Sequence, residues 1–281
     1  MRKVKVTLND IHSGHRLGLL NPGTILYQED EHGEMKPYSP GLTASQEYLW
    51  ELYTGHIKEA IQFANGSELL LCINGDLTQG VKHPGHWVST RISDQVSIAV
   101  ANLDPWFLYP NLKQVRISIG TSAHNFGEGA AEMLIGEILA NRYPLVDIKV
   151  VMHGLLTYEG VTFDYAHHGP GKGIRNWLYG NMARFYLRDL MMRDIMAGRV
   201  PPNVVERAHT HVKVHEVLET AGYCSDLFFV PSYCMMDDYA VQVTKSIEGL
   251  THGLLMHECD CGKHAHVWLT SSLDTRMTEV L

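Results

Sequence analysis

Apolar and polar positions alternate from Val4 to Leu8, which predicts a strand ending at Asn9-Asp10. A polar stretch with Gly and Pro throughout follows, from Ser13 to about Pro40. It is too long for a simple connection and reads as a functional loop or a surface insertion. Leu49, Leu52, Ile57, Ala60 and Ile61 then recur at helical spacing, behind Thr43 or Ser45 as the cap. Leu69 to Ile73 is a continuous apolar run, as expected of a buried strand, and it stops at Asn74-Gly75-Asp76. Beyond it the pattern predicts a helix over about 89–103, a strand over 115–119 ending at Gly120, and a helix over 130–139. Strands over 146–152 and 161–165 read as a hairpin, followed by a long helix from Trp177 to Ala197 and a short strand from Val204 to Ala208. The remainder reads as strands: HEVLET, DLFFVPSYC, then GLLMHEC and HAHVWLT around a Cys-Gly-Lys turn. Strands alternating with helices specify an α/β sheet core. No repeat, low-complexity tract or linker interrupts it, so residues 1–281 read as a single domain with an insertion at about 13–40 and a β-rich tail from about 236.

A chain of 281 residues is long enough to bury one large core, and 45% hydrophobic with 19% charged residues argues against wholesale disorder. No apolar run approaches the roughly 20 residues of a membrane span. The basic start, MRKVKVTLND, leads straight into the first strand without the apolar stretch of a secretory signal. The expectation is a cytoplasmic or otherwise intracellular protein with no membrane partner. Five scattered cysteines do not look like a disulfide framework, and Cys72 reads as a small buried hydrophobe. A net charge of -8 without any Lys/Arg run argues against coating DNA. It leaves a nucleotide substrate open, because bound metals add positive charge that a formal count omits. The unusual number is 17 histidines, since histidine is the commonest metal ligand.

Five predicted strand ends each place an Asp or His in the loop that follows: Asp10-x-His12, Gly75-Asp76, Gly120 to His124, His167-His168, and His209-x-His211. Sites in α/β sheets form outside the carboxyl ends of the strands, so these distant residues can converge. Carboxylates with several imidazoles suit manganese, iron or zinc. In an extended segment the i, i+2 spacing of Asp10/His12 and of His209/His211 puts both side chains on one side. Two such ions about 3.5–4 Å apart can clamp a phosphate and activate water. A carboxylate at the sheet centre, here Asp76, can bridge them.

The same blocks resemble the calcineurin-like metallophosphoesterases, whose pattern is D-x-H, G-D, G-N-H, a lone His and G-H-x-H, each after a strand. The resemblance runs from residue 4 to about 235 in the right order, and Phe228-Phe-Val-Pro-Ser resembles the family's closing strand. It implies a sandwich of two mixed β-sheets flanked by helices, holding two divalent ions. Asp10, His12 and His211 would bind the first ion, His209 and His167 the second, with Asp76 between them. His167 is preferred to His168 because the family's His directly follows its strand. The implied activity is hydrolysis of a phosphoester by a metal-bound hydroxide, with His124 as the catalytic group. The sequence departs from the pattern at Gly120-Thr-Ser-Ala-His-Asn, where no Asn precedes His124. Either His124 replaces the missing ligand, or it keeps the catalytic role while Asn125 or Ser122 covers the second ion. Ala208 also stands where the family commonly has Gly.

The Asp-Arg-Gly ending of protein phosphatases is absent after Asp76, and no Arg precedes Gly120. This favours a small phosphoester, a nucleotide or a nucleic-acid phosphodiester over phosphoprotein as the substrate. Arg16, Tyr27, Tyr38, His86 and Trp87 are candidates to line such a cleft; His15, His83 and His86 could each touch substrate there but read slightly more simply as loop histidines. His257, Cys259, Cys261, His264 and His266 suggest a structural zinc, but alternation in so short a hairpin would send them to both faces. The competing reading is a catalytically silent binding or assembly protein on the same fold.

Overall fold

The computed structural model describes residues 2–82, 85–170, 179–236, 249–274, 276 and 279. Two mixed sheets face one another, with helices on both outer faces. The first has the order β13-β12-β1-β4-β5-β6. Its strands are β1 (Lys3–Leu8), β4 (Leu69–Ile73), β5 (Leu112–Ser118), β6 (Asp147–Val151), β12 (Gly249–Asp260) and β13 (Lys263–Asp274). The second has the order β10-β11-β9-β8-β7, from β7 (His153–Tyr158), β8 (Val161–Ala166), β9 (Val204–Arg207), β10 (Val214–Thr220) and β11 (Tyr223–Phe229). In the first sheet β1, β4, β5 and β6 run parallel, while β12 and β13 are antiparallel to their neighbours. In the second, β8, β9 and β11 run parallel and β7 and β10 are antiparallel. The α/β sandwich of two mixed sheets is therefore present as the sequence implied.

Alternation along the strands decides the layers. Leu69, Leu71 and Ile73 point out under α1 (Ala44–Ala64) and α2 (Ile92–Leu103), joining Leu49, Tyr53, Val96 and Leu103 in the largest core. Their neighbours Leu70 and Cys72 point inward and meet Phe163, Val204 and Phe228 from the second sheet. α3 (Ala130–Arg142) covers the β5–β6 side through Ile135 and Leu139. On the far face α4 (Tyr179–Met196) lays Ala183, Leu187 and Met191 on Val205, Leu227 and Phe229. α1 starts at Thr43, whose side chain accepts from Gln46 N while the Gln46 side chain reaches back to the Thr43 backbone, a reciprocal capping box. No helix among the described residues is long and apolar enough to cross a membrane.

Several local readings change. The strand before β8 is not the 146–152 run: β6 is a parallel edge of the first sheet, and β7 pairs with β8 as the hairpin. The chain crosses between sheets at Met152, and Gly154 admits the Tyr165 ring where a Cβ would lie 2.0 Å from it. The 13–40 stretch is not all loop, because β2 (Leu26–Glu29) and β3 (Met35–Tyr38) form their own hairpin. The helix predicted from 89 starts at Ile92, since the Ser89 hydroxyl and the Arg91 side chain are held by Asp94. Trp177 and His83 lie outside the described residues, as does 237–248 of the tail.

The zinc reading of the tail fails on geometry. Register places His257 opposite His266 and Cys259 opposite His264, so these four share one face rather than dividing between two. They do not converge, however. His264 pairs with Asp226 at 3.3 Å, Cys259 sits in the inter-sheet core, and Cys261 bonds Asp260 at the turn.

That inter-sheet layer also holds a buried polar network. Lys5 of β1 and Glu206 of β9 are both fully buried and ion-paired, Thr7 donates to the same Glu206 oxygen at 2.9 Å, and His257 Nε2 lies 3.0 Å from the other. Lys5 and Thr7 are the inward members of a strand whose Val4, Val6 and Leu8 point to the helices. Burial pushes the His257 pKa down to about 4, with Glu206 opposing. An unfolded His takes its proton near pH 6.5. Between those values the unfolded chain binds more protons, so stability falls as pH drops. Glu206 does not oppose this: burial would raise it, but Lys5 holds it at about 2, so its contribution persists between pH 7 and pH 5 and declines only below its unfolded pKa. Wild type is expected to lose about 2 kcal/mol more than His257→Gln between pH 7 and pH 5 in urea unfolding. Equal losses would remove His257 as the source.

Candidate metal centre

Every block singled out in the sequence leaves the end of a strand: Asp10 and His12 follow β1, Asp76 follows β4, His124 follows β5, His167 and His168 follow β8, and His209 and His211 follow β9. β1, β4 and β5 are neighbours in one sheet and β8 and β9 in the other, so the ends meet across the sandwich. The i, i+2 pairs are not extended. Asp10, His12, Asp76, His209 and His211 have φ of 51°, 43°, 50°, 68° and 53°, the left-handed region. Sharp left-handed turns, rather than a shared strand face, aim these side chains, and such strain collects at functional sites. Gly75 and Gly120 allow the close approach. A Cβ on Gly75 would lie 2.4 Å from His167 Nδ1, and one on Gly120 would lie 2.2 Å from Asp76 Oδ1.

The side chains form two adjoining pockets. In the first, one donor atom each of Asp10, His12 and His211 lies within 4.8 Å of the others. His12 Nε2 and His211 Nε2 are 3.4 Å apart, and Asp10 Oδ1 is 3.9 and 3.3 Å from them. Asp10 is fully buried, and its Oδ1 accepts no hydrogen bond. His12 Nδ1 is engaged by Gln79 Oε1 at 2.9 Å, which turns Nε2 to the pocket. A buried, unsatisfied carboxylate oxygen flanked by two imidazole nitrogens fits a divalent cation.

In the second pocket the same proximity joins His167, His168 and His209, and a third group of Asp10, Asp76 and His167 links the two. His167 is buried, donates from Nδ1 to Asn74 O at 2.7 Å, and brings Nε2 to 3.1 Å from Asp76 Oδ2. Burial lowers its pKa, but Asp76 and Asp10 outweigh this and raise it to about 9. Nε2 therefore carries a proton at neutral pH, which a cation bound in its place would have to displace. Burial would raise the Asp76 pKa, yet His167 holds it well below the usual carboxylate range. Burial and His167 push the more exposed His209 down to about 4, so it is neutral and able to ligate at neutral pH.

His124 lies on the side of the first pocket, its ring 4.7 Å from that of His12. Its Nδ1 donates to Gln79 O at 2.7 Å. Asn125 is turned away: Nδ2 donates to Gly120 O and Oδ1 accepts from Gly127 N, so it braces the loop. Ser122 is exposed.

Two contributors were missed in the sequence. Thr121 occupies the position directly after Gly120, and its hydroxyl lies 3.1 Å from Asp76 Oδ2, 3.1 Å from His167 Nε2 and 3.2 Å from His209 Nδ1. The signal was available, since this is where the resembled pattern has its Asn. Gln79 orients His12 through its side chain and His124 through its carbonyl. It is in turn held by Gln95, whose Oε1 accepts from Gln79 N and Gly80 N. No short motif marks either glutamine.

Of the cleft candidates, Arg16 donates to Trp87 O at 3.2 Å, and a bridge joins His15 to Trp87, tying the loops after β1 and β4 together. His86 is exposed and Tyr27 is 53% exposed, but Tyr38 packs with Leu20, Leu26 and Ile98 in a satellite core.

No protein-family model matches the chain, and no curated protein matches it. Among solved structures it is similar to sulfate thiohydrolase SoxB of Thermus thermophilus in complex with glycerol, at 10% identity and a TM-score of 0.39. The match covers 97% of this chain and 56% of that one, so the chain spans little more than half that protein's length.

Proposed function

We propose that this chain is a dinuclear metal-dependent phosphoesterase acting as one catalytic domain. The observation that carries the reading is the meeting of two donor sets, Asp10/His12/His211 and His167/His168/His209, through the Asp10/Asp76/His167 group. Divalent cations bound there would supply Lewis acidity to a phosphoester and lower the pKa of a water. The chain's own groups do the rest. Asp76, grouped with Asp10 of the first pocket and His167 of the second, would serve both. Gln79 fixes Nδ1 of His124 as a donor, so Nε2 is the nitrogen left for chemistry: as an imidazolium the ring would pass its Nε2 proton to the departing oxygen as the bond to phosphorus breaks, and keep the Nδ1 proton on Gln79 O. Thr121 N donates to Asp76 Oδ1 at 2.6 Å and holds the carboxylate in its rotamer.

For the substrate we infer a phosphodiester or a nucleotide-type phosphate. The Arg clamp that would grip a monoester dianion is absent from the Asp76 and Gly120 blocks. The joined loops that follow β1 and β4 carry Arg16, His86 and Trp87 as well as the donors, and an aromatic ring with a guanidinium suits a base or sugar-phosphate. The test is a panel of bis-nitrophenyl phosphate, nitrophenyl phosphate, cyclic nucleotides, short single-stranded DNA and a phosphopeptide at one manganese concentration. Diesters are expected to be hydrolysed fastest. Preference for the monoester or phosphopeptide would refute the substrate class, and no turnover of any panel member, either with manganese or on repeating the panel with zinc, would favour a silent protein.

A further inference from the structure

We propose that His168 is a ligand of the second pocket, standing in for the missing asparagine, and that this pocket is a three-imidazole site selective for zinc over manganese. The inference rests on the dinuclear reading above and concerns which atoms of this chain complete it.

The pocket needs a further donor. Thr121 fills the position after Gly120, but a neutral alcohol is a poorer ligand than a carboxamide oxygen, and its hydroxyl is already within hydrogen-bond reach of Asp76, His167 and His209. Asn125 is committed to the loop backbone, and His124 lies beside His12 at the other pocket. His168 is different. Its ring centroid is 4.8 Å from that of His167 and 4.9 Å from that of His209, which are 5.2 Å from each other. This is a near-equilateral triangle of imidazoles. One nitrogen of each lies within 4.8 Å of the others, so rotation of the exposed His168 and His209 would let all three reach one ion. Among the described residues neither ring nitrogen of His168 has a hydrogen-bond partner, whereas the Nδ1 atoms of His12, His124 and His167 are each committed to one. Its chain neighbour His167 is anchored through Asn74, so the pair straddles the pocket rather than competing for it.

Three imidazoles and one oxygen of Asp76 make a four-coordinate nitrogen-rich set, which suits zinc. Manganese favours oxygen-rich sites, and an asparagine in place of the third imidazole would move the pocket toward it.

The experiment uses the full chain and reads metal rather than turnover. Wild type, His168→Ala and His168→Asn are stripped, re-equilibrated with zinc or manganese, dialysed and analysed for metal per chain; cobalt titrations are followed by visible absorption. Wild type is expected to hold two zinc ions. His168→Ala should bind the second at least about tenfold more weakly and lose visible intensity from its cobalt complex. His168→Asn should narrow the zinc-to-manganese preference. Because His168 is exposed, both variants should keep the wild-type circular dichroism. Two zinc ions in His168→Ala, held with wild-type affinity and an unchanged cobalt spectrum, would overturn the ligand assignment. Failure of the wild type itself to hold two ions would instead overturn the dinuclear reading, and this inference with it.

Discussion

Asp76→Ala is expected to strip the protein of both ions and to abolish phosphoesterase activity. Asp76 is 1% exposed and lies at the junction of the two donor sets. Its Oδ2 faces His167 Nε2 at 3.1 Å, and its two oxygens take the Thr121 N–H and hydroxyl at 2.6 and 3.1 Å. Losing a partner that merely orients a ligand costs roughly 10–100-fold in metal affinity or activity. A carboxylate serving both pockets should exceed the upper end of that range. Alanine also leaves a buried His167 and a buried N–H without their acceptor, so part of the loss would come from local disorder. Asp76→Asn separates the effects, because it keeps the size and an acceptor oxygen while removing the charge. Circular dichroism is expected to show Asp76→Asn folded, and elemental analysis to show it depleted of metal. Full metal content in both variants would end the bridging role.

Much of the fold was legible because burial on two faces leaves a plain trace. LLLCI reads as a buried strand for the reason it is one: Leu69, Leu71 and Ile73 serve the helix layer while Leu70 and Cys72 serve the inter-sheet layer. The half-buried edges were harder. β7, HGLLTY, alternates its exposure at the end of a sheet, and no turn signal separates it from β6. The meeting of the candidate blocks was legible for a similar reason, since each directly follows a strand and the strand ends come together in the sandwich. The physical account of the paired donors was wrong, because left-handed φ at Asp10, His12, His209 and His211 replaces the extended geometry that i, i+2 spacing suggested. Gln79 and Gln95 could not be read at all. Their amides act across chain separations of 67 residues to His12 and 16 between themselves, and only the folded loops make them neighbours.

The position of His124 leads to the second large effect. Its ring meets that of His12 edge-on at 4.7 Å, while its backbone carbonyl accepts the Thr78 hydroxyl and its Nδ1 is tied to Gln79 O. Both anchors come from the loop that carries Asp76, so the imidazole is set relative to the donor cluster rather than left on a free loop. A general acid with this placement contributes about 10²–10⁴-fold, but only where the leaving oxygen needs a proton. His124→Ala should therefore lower turnover by that factor on an alkyl phosphodiester and by much less on a nitrophenyl ester, whose phenolate departs unprotonated. Metal content should stay at the wild-type value. Equal losses on the two leaving groups would reject proton transfer, and loss of one ion per chain would make His124 a ligand instead. The two variants are complementary: Asp76→Asn empties the site with His124 in place, and His124→Ala leaves the site loaded without its acid. A leaving-group slope steeper in His124→Ala than in the wild type would thus assign the proton to this side chain rather than to a water in the cleft.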